Sequence, residues 1–280
     1  MNQGKSSGRS WSVSILLVGL ASFSLQGCVA TEPFLTKEER LVPGGDGKTE
    51  RLTIGGVYSK PEGRKGPYPA VVILQSCGGS SPALNTWANK FNAWGYASFV
   101  VQSLEGRGSR TCNYPYKFWE MNAAIASDAY GALDHLVKKP EIDSKRVAVI
   151  GFSMGALAIN WEILSSRSVR PTPDFAATIS FYGKCHTGNM FGLKSVPNLQ
   201  VAAELDKNHY PSCERMQRLG FGENYQFLGL KNVHHAFDDP AASGKFDGSG
   251  NRMEYSPAAT ETATQEVKRF LEKHLLSPKN

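Results

Sequence analysis

The 280-residue chain has no Cys-x-x-Cys pair, no block of clustered lysine and arginine, no internal repeat and no apolar run long enough to span a bilayer. Each absence excludes something. Without closely spaced cysteines, the five thiols do not read as a zinc site, and no metal or cofactor is implied. Lysine and arginine exceed the acids by 31 to 25, a formal charge of +6, but they are scattered. No basic patch marks a nucleic-acid partner. The longest apolar stretch, Trp11 to Leu25, is too short and too rich in serine for a transmembrane helix. Histidine is scarce as well, with six in the whole chain, so few residues are candidates for a catalytic base.

What is present begins with an export pattern. Lys5 and Arg9 stand in a polar start, the apolar stretch follows, and Leu25-Gln26-Gly27-Cys28 closes it. That order predicts a signal peptide over residues 1–27. The Leu-x-Gly-Cys ending resembles a bacterial lipobox, which implies cleavage before Cys28 and acylation of its thiol. Gln26 departs from that pattern, where a smaller residue is usual. The alternative is a plain secretory signal with Cys28 an ordinary thiol. On either reading the chain is exported, and on the first it is a membrane-anchored lipoprotein facing the periplasm. Residues 28–48, polar and rich in breakers, read as a tether, and 49–280 as one domain. Removing Lys5 and Arg9 with the signal leaves a charge of +4.

Within the domain, strand and helix patterns alternate. Arg51 to Tyr58 reads as an edge strand, and Tyr68 to Gln75 as a strand buried on both faces. Further strands are expected at Ala97–Gln102, Val147–Ile150, Phe175–Tyr182, Leu199–Ala203 and Tyr225–Leu230. Helices are expected at Leu84–Trp94, Met121–Val137, from the elbow described next through Leu164, and at Thr262–Leu275. This predicts an α/β fold, a mostly parallel sheet covered by helices on both faces. Ligand sites in such sheets lie beyond the carboxyl ends of the strands.

The stretch Val147 to Ile159 contains Gly151-Phe152-Ser153-Met154-Gly155 between a β-branched run and an apolar helical pattern. Strand, tight turn and helix are the context of a nucleophile elbow. The turn exposes the Ser153 hydroxyl and aims the Met154 amide at the space above it, with the helix N-terminus adding positive charge. The competing interpretation is an ordinary Gly/Ser loop. An alkyl hydroxyl also needs a base and an acid that orients the base. Past the strand at 199–203 stand Glu204 and Asp206, and past the last strand stand His234 and His235. The chain order Ser, acid, His is that of an α/β hydrolase. Alternation points both acids the same way, and Asp206 is read as the nearer to the strand end, where a triad acid belongs. Asp238 and Asp239 follow the histidines too closely to be preferred.

Several segments together resemble the dienelactone hydrolase family. They are Cys77-Gly78-Gly79 after the buried strand, Trp94-Gly95-Tyr96, Arg107-Gly108, Asp128-Ala129, Gly151–Gly155, Glu204–Cys213 and His235-Ala236-Phe237. The resemblance runs from about Leu52 to the final helix. It implies an α/β-hydrolase fold, His235 as base, Asp206 as acid, His234 as a neighbour shaping the pocket wall, and the Cys77 and Met154 amides as oxyanion donors. Two departures stand out. The family's founding enzymes carry a cysteine nucleophile, whereas Ser153 moves the reading toward serine esterase chemistry. Gln75-Ser76 replaces the usual His-Gly, and the Gln75 side chain either joins the oxyanion site or caps the strand end.

With Cys28 set aside, four cysteines remain in an oxidising compartment. Pairing Cys77 with Cys112, and Cys185 with Cys213, joins loops at one edge of the sheet and steadies those that carry catalytic groups. Tyr114, Tyr116, Phe118, Trp119, Phe181 and Tyr182 are candidates for the pocket lining or for core packing. Trp161 reads as core. The first functional expectation is a serine hydrolase of small esters or lactones. The alternatives are a serine peptidase of the prolyl-oligopeptidase kind and a non-catalytic binding protein on the same scaffold. The partners implied are a small-molecule substrate and a membrane through the lipid on Cys28, while the oligomeric state is left open.

Overall fold

Every residue of Tyr68–Leu74 is buried, and a strand of that composition is stable only where both faces are covered. In the computed structural model, which describes Met1 and residues 31–41, 49–112, 118–165, 173–185, 196–220 and 224–276, this strand is β3 of an eight-stranded sheet. The others are β1 (Thr31–Leu41), β2 (Thr49–Ser59), β4 (Ala97–Val101), β5 (Ile142–Phe152), β6 (Ala177–Phe181), β7 (Asn198–Ala203) and β8 (Tyr225–Leu230). Their spatial order is β1-β2-β4-β3-β5-β6-β7-β8. From β4 to β8 neighbouring strands pair in parallel, and β2 enters antiparallel between β1 and β4. The expected mostly parallel α/β sheet is present.

Alternation along β3 divides the core. Val71 and Ile73 face α1 (Pro82–Trp94) and α5 (Pro257–Leu271), with Trp87, Phe91, Val267 and Phe270 in that layer. Ala70, Val72 and Leu74 face α2 (Phe118–Leu136) and α3 (Met154–Ala158), among Met121, Ile125, Leu133 and Leu157. α3 runs on into a π-helical turn at Ile159–Ile163. Gly95 ends α1 at φ 97°, a left-handed position where its N–H reaches the Asn92 carbonyl. Among the described residues no helix is long and apolar enough to cross a membrane.

Three readings are corrected here. Residues 31–41 fall in the stretch expected as a tether, yet they form β1. Phe34 and Thr36 turn inward while Leu35 and Lys37 face solvent, and Phe34 packs edge-on against Phe99 at 5.4 Å. An edge strand buries one face only, so Glu32, Pro33 and Lys37 hide its pattern. β2, expected at the edge, is therefore internal. Finally, the loop beyond Asp206 contains a helix, α4 (Tyr210–Leu219), and Cys213 lies within it rather than on a loop. α4 buries only Tyr210, Cys213 and Met216, one stripe on a polar helix. The signal segment 1–27, Cys28 and residues 42–48 of the tether lie outside the described residues apart from Met1.

The six parallel strands all end at one edge of the sheet, and five of them lead directly into the residues of interest. Gln75 follows β3, Ser153 follows β5, Tyr182 follows β6, Asp206 follows β7 and His235 follows β8. Cys77 is bonded to Cys112, tying the loops beyond β3 and β4, and Cys185 to Cys213, tying the end of β6 to α4.

Candidate active site

Ser153 sits between β5 and α3 with φ 50° and ψ −105°, a conformation that non-glycine residues rarely hold. Such strain costs on the order of 1–3 kcal/mol and persists only where the surroundings enforce it. They do so through hydrogen bonds from Ser153 N–H to the Phe181 carbonyl (3.0 Å) and from Gly155 N–H to the Gln75 carbonyl (3.1 Å). Both glycines are required by close approach. A Cβ on Gly151 would stand 2.3 Å from the Gly155 carbonyl carbon, and one on Gly155 would stand 2.7 Å from the Leu74 carbonyl oxygen.

The hydroxyl so exposed meets an imidazole. His235 Nε2 lies 3.1 Å from Ser153 Oγ, and His235 Nδ1 lies 2.6 Å from Asp206 Oδ2. Burial alone would raise the Asp206 carboxyl, but hydrogen bonds from His209 and His235 outweigh it and hold the group down to about 2. An ionised carboxylate can only accept, so Nδ1 carries the proton. That leaves Nε2 as the acceptor facing Ser153, the tautomer a general base needs.

Met154 and Cys77, whose amides are the expected oxyanion donors, flank Ser153 in sequence and in the cleft wall respectively. Met154 opens α3, so its N–H has no partner within the helix. Cys77 lies in a turn closed by Gly79 N–H to the Ser76 carbonyl at 3.1 Å. Ser76 is absent from the non-glycine residues with positive φ, so serine fits where relatives often have glycine. Its hydroxyl accepts from Gly78 N–H at 3.3 Å. The cleft has a volume of about 420 Å³ and is lined by Ser76, Cys77, Leu84, Phe152, Ser153, Tyr182, His235 and Met253 among others.

The rival residues find other partners. Glu204 binds the Lys231 ammonium at 2.7 Å and the Asn232 N–H at 2.9 Å, away from His235. Asp238 is buried and accepts from Trp87 Nε1 (2.7 Å) and the Tyr182 hydroxyl (2.8 Å). Burial pushes its carboxyl up, opposed by those two hydrogen bonds. His234 is not among the cleft-lining residues, which corrects its expected place in the wall, because consecutive residues in extended chain face opposite ways. Gln75 is fully buried, lies outside the cleft lining and donates to Glu105 at 3.1 Å, so its side chain ties the end of β3 to the segment after β4. Tyr182 lines the cleft and packs on the His235 ring at 4.6 Å, whereas Phe181 belongs to the core. Trp161, read as core, is only partly buried and donates its ring N–H to the Lys184 carbonyl at 3.1 Å. Tyr114, Tyr116 and the side chains of Phe118 and Trp119 lie outside the described residues.

Sequence reasoning missed two neighbours of His235. His209 places Nδ1 2.8 Å from the Asp206 oxygen that His235 uses. The ligand atoms of Asp206, His209 and His235 lie within 4.8 Å of one another, but both Nδ1 protons are already committed to the carboxylate. Asp247 Oδ2 stands 3.9 Å from His235 Nε2, at the tip of a hairpin in which Met253 N–H reaches the Lys245 carbonyl at 2.8 Å. Desolvation would raise the Asp247 carboxyl, but hydrogen bonds from Asn251, electrostatic attraction to His235 and a hydrogen bond from Ser249 hold it below its ordinary value. The turn-forming run Asp247-Gly248-Ser249-Gly250-Asn251 was the available signal for that hairpin.

Solved structures share the architecture. A dienelactone hydrolase-like promiscuous phosphotriesterase from metagenomic libraries superposes with TM-score 0.62 at 19% identity, over 88% of this chain and 98% of its own. Esterase 2 of Thermogutta terrifontis, solved with butyrate, gives 0.58 at 14% identity over 88% and 97%. A dienelactone hydrolase from Anabaena variabilis gives 0.56 at 17% identity over 85% and 98%. At these identities the likeness is one of fold. No curated protein matches the chain significantly. The sequence pattern of the dienelactone hydrolase family, by contrast, matches residues 54–275, which span the sheet from β2 through the carboxylate, imidazole and hydroxyl just described. The chain therefore belongs to the dienelactone hydrolase family and carries its α/β-hydrolase fold.

Proposed function

We propose that the protein is a serine hydrolase of small ester or lactone substrates, with Ser153 as nucleophile, His235 as general base and acid, and Asp206 as the orienting carboxylate. One observation carries this reading: the His235 ring bridges Ser153 Oγ at 3.1 Å and Asp206 Oδ2 at 2.6 Å. Family membership and the esterases among its structural neighbours support it.

The reaction follows from the geometry. Ser153 Oγ attacks the ester carbonyl carbon while its proton passes to His235 Nε2, and the carbonyl oxygen takes the negative charge. The Met154 and Cys77 amides hold that charge without reorganising. The intermediate collapses as the C–O bond to the alcohol breaks and His235 returns the proton to the leaving oxygen. Water then attacks the acyl-enzyme, giving a proton to His235 and releasing the acid and Ser153. The cleft of about 420 Å³ suits a small or medium ester.

We further propose export, with a lipid on Cys28. The two disulfides support an oxidising compartment. Because β1 opens at Thr31, such an anchor would hold that edge of the sheet close to the bilayer.

A p-nitrophenyl butyrate assay of the parent protein and Ser153→Ala tests the enzyme, with fluorophosphonate labelling beside it. Turnover and labelling in the parent, both lost in the variant, are expected. An unlabelled parent would favour a binding protein, and cleavage of dipeptide amides over esters would favour the peptidase.

A further inference from the structure

The Asp206 carboxylate receives more donors than the proposed reaction uses. Its Oδ2 meets His235 Nδ1 at 2.6 Å and also His209 Nδ1 at 2.8 Å, while Oδ1 accepts the His209 backbone N–H at 3.2 Å. The two rings lie 5.5 Å apart, and the His209 side chain is only 13% exposed. His209 is the residue before α4, and Cys213, one turn further on, is bonded to Cys185 beyond β6. A rigid element therefore delivers the second imidazole.

We propose that His209 is a positioning residue of the triad: it locks the Asp206 rotamer from two sides and draws off part of the charge of the oxygen on which His235 depends. This rests on the Ser153–His235–Asp206 reading and deepens it. An oxygen accepting two N–H bonds holds each less strongly than it would hold one alone. Without His209 the whole carboxylate charge acts on His235, so the protonated ring is held more firmly and protons compete better with the reaction.

The groups facing His235 come from four elements. Asp206 and His209 come from the β7–α4 turn, Ser153 from the elbow, and Asp247 from the hairpin at 3.9 Å. Tyr182, from the end of β6, packs on the ring with its hydroxyl committed to Asp238. His209 itself faces Asp206 and His235. Of these, His209 alone shares the carboxylate oxygen.

The test is the pH profile of kcat/KM for p-nitrophenyl butyrate in the parent, His209→Ala and His209→Asn, with urea midpoints measured alongside. For His209→Ala, the acid limb should move to higher pH and the plateau kcat should fall roughly tenfold at unchanged KM, the scale of one lost hydrogen bond to a charged group. His209→Asn places its amide N–H where Nδ1 stood, keeps a donor for Oδ2 and should recover most of the plateau. An alanine variant with the parent's limb and plateau overturns the proposal. So does a fall in kcat with an unmoved limb that asparagine does not repair, which is what loss of structural support alone would give. Labelling of the parent by a fluorophosphonate separates the two claims. If the parent labels at Ser153 while the His209 profiles are unaltered, only the role of His209 fails. If the parent does not label, the triad reading itself fails.

Discussion

Gly155 donates its N–H to the carbonyl of Gln75 at 3.1 Å, which stitches the turn carrying Ser153 to the strand leading into the Cys77 amide. The turn of the proposed nucleophile and the loop proposed to hold the oxyanion are thus tied together. Preorganisation of this kind is what lets fixed amides stabilise a developing charge.

Gly155→Ala is expected to destabilise the fold by about 1–3 kcal/mol, because the new Cβ would stand 2.7 Å and 2.9 Å from two backbone carbonyl oxygens that cannot swing aside. Urea denaturation measures this, and a variant as stable as the parent would show that the elbow shifts freely.

Asp206→Asn should lower kcat about 10³–10⁴-fold with little effect on KM, since an amide can present its N–H to His235 and favour the wrong tautomer. It should also change stability against pH. The folded Asp206 carboxyl, at about 2, lies below the ordinary 3.8, so the unfolded chain takes up the proton first. The contribution, about 2 kcal/mol, is complete above pH 4 and fades as pH falls toward 2. Urea midpoints at pH 5 and pH 2.5 should therefore fall further in the parent than in the variant.

Cys112→Ser opens the bridge to Cys77, which lines the cleft and whose amide is proposed to hold the oxyanion. A loss of about 2–4 kcal/mol in stability is expected. If the bridge also holds the oxyanion loop, kcat falls under conditions where the variant is fully folded. Unchanged kcat there would assign the bridge to stability alone.

Asp247→Asn removes a negative charge 3.9 Å from His235 Nε2 while keeping an acceptor for Ser249 and Asn251. A neighbouring anion favours the protonated ring, so the acid limb of kcat/KM should move to lower pH by up to about one unit. The direction is opposite to that expected for His209→Ala, and a pH series on both variants separates the two sides of the ring.

Much of the scaffold was legible because its signals are local. The apolar run of β3, Gly95 after α1 and the strand–turn–helix around Ser153 each announce themselves within a dozen residues. β1 and α4 were not legible. Each buries a single narrow face, and their remaining residues are charged or polar because they meet water. Glu204 and Asp206 share a parity on an extended strand, but β7 ends at Ala203 and the chain turns there. That turn sends Glu204 to Lys231 and Asp206 inward, an outcome that alternation cannot foresee.

By itself the sequence determined the α/β class, the elbow and the order in which hydroxyl, carboxylate and imidazole arrive, since these depend on nearest neighbours along the chain. Only the tertiary structure decided which acid meets His235, that His209 shares its oxygen, and that Asp247 stands on the far side of the ring. Residues 153, 206, 209, 235 and 247 are brought together by the ends of three parallel strands and one hairpin. Contacts of that kind are set by sheet order and packing, which no local pattern encodes.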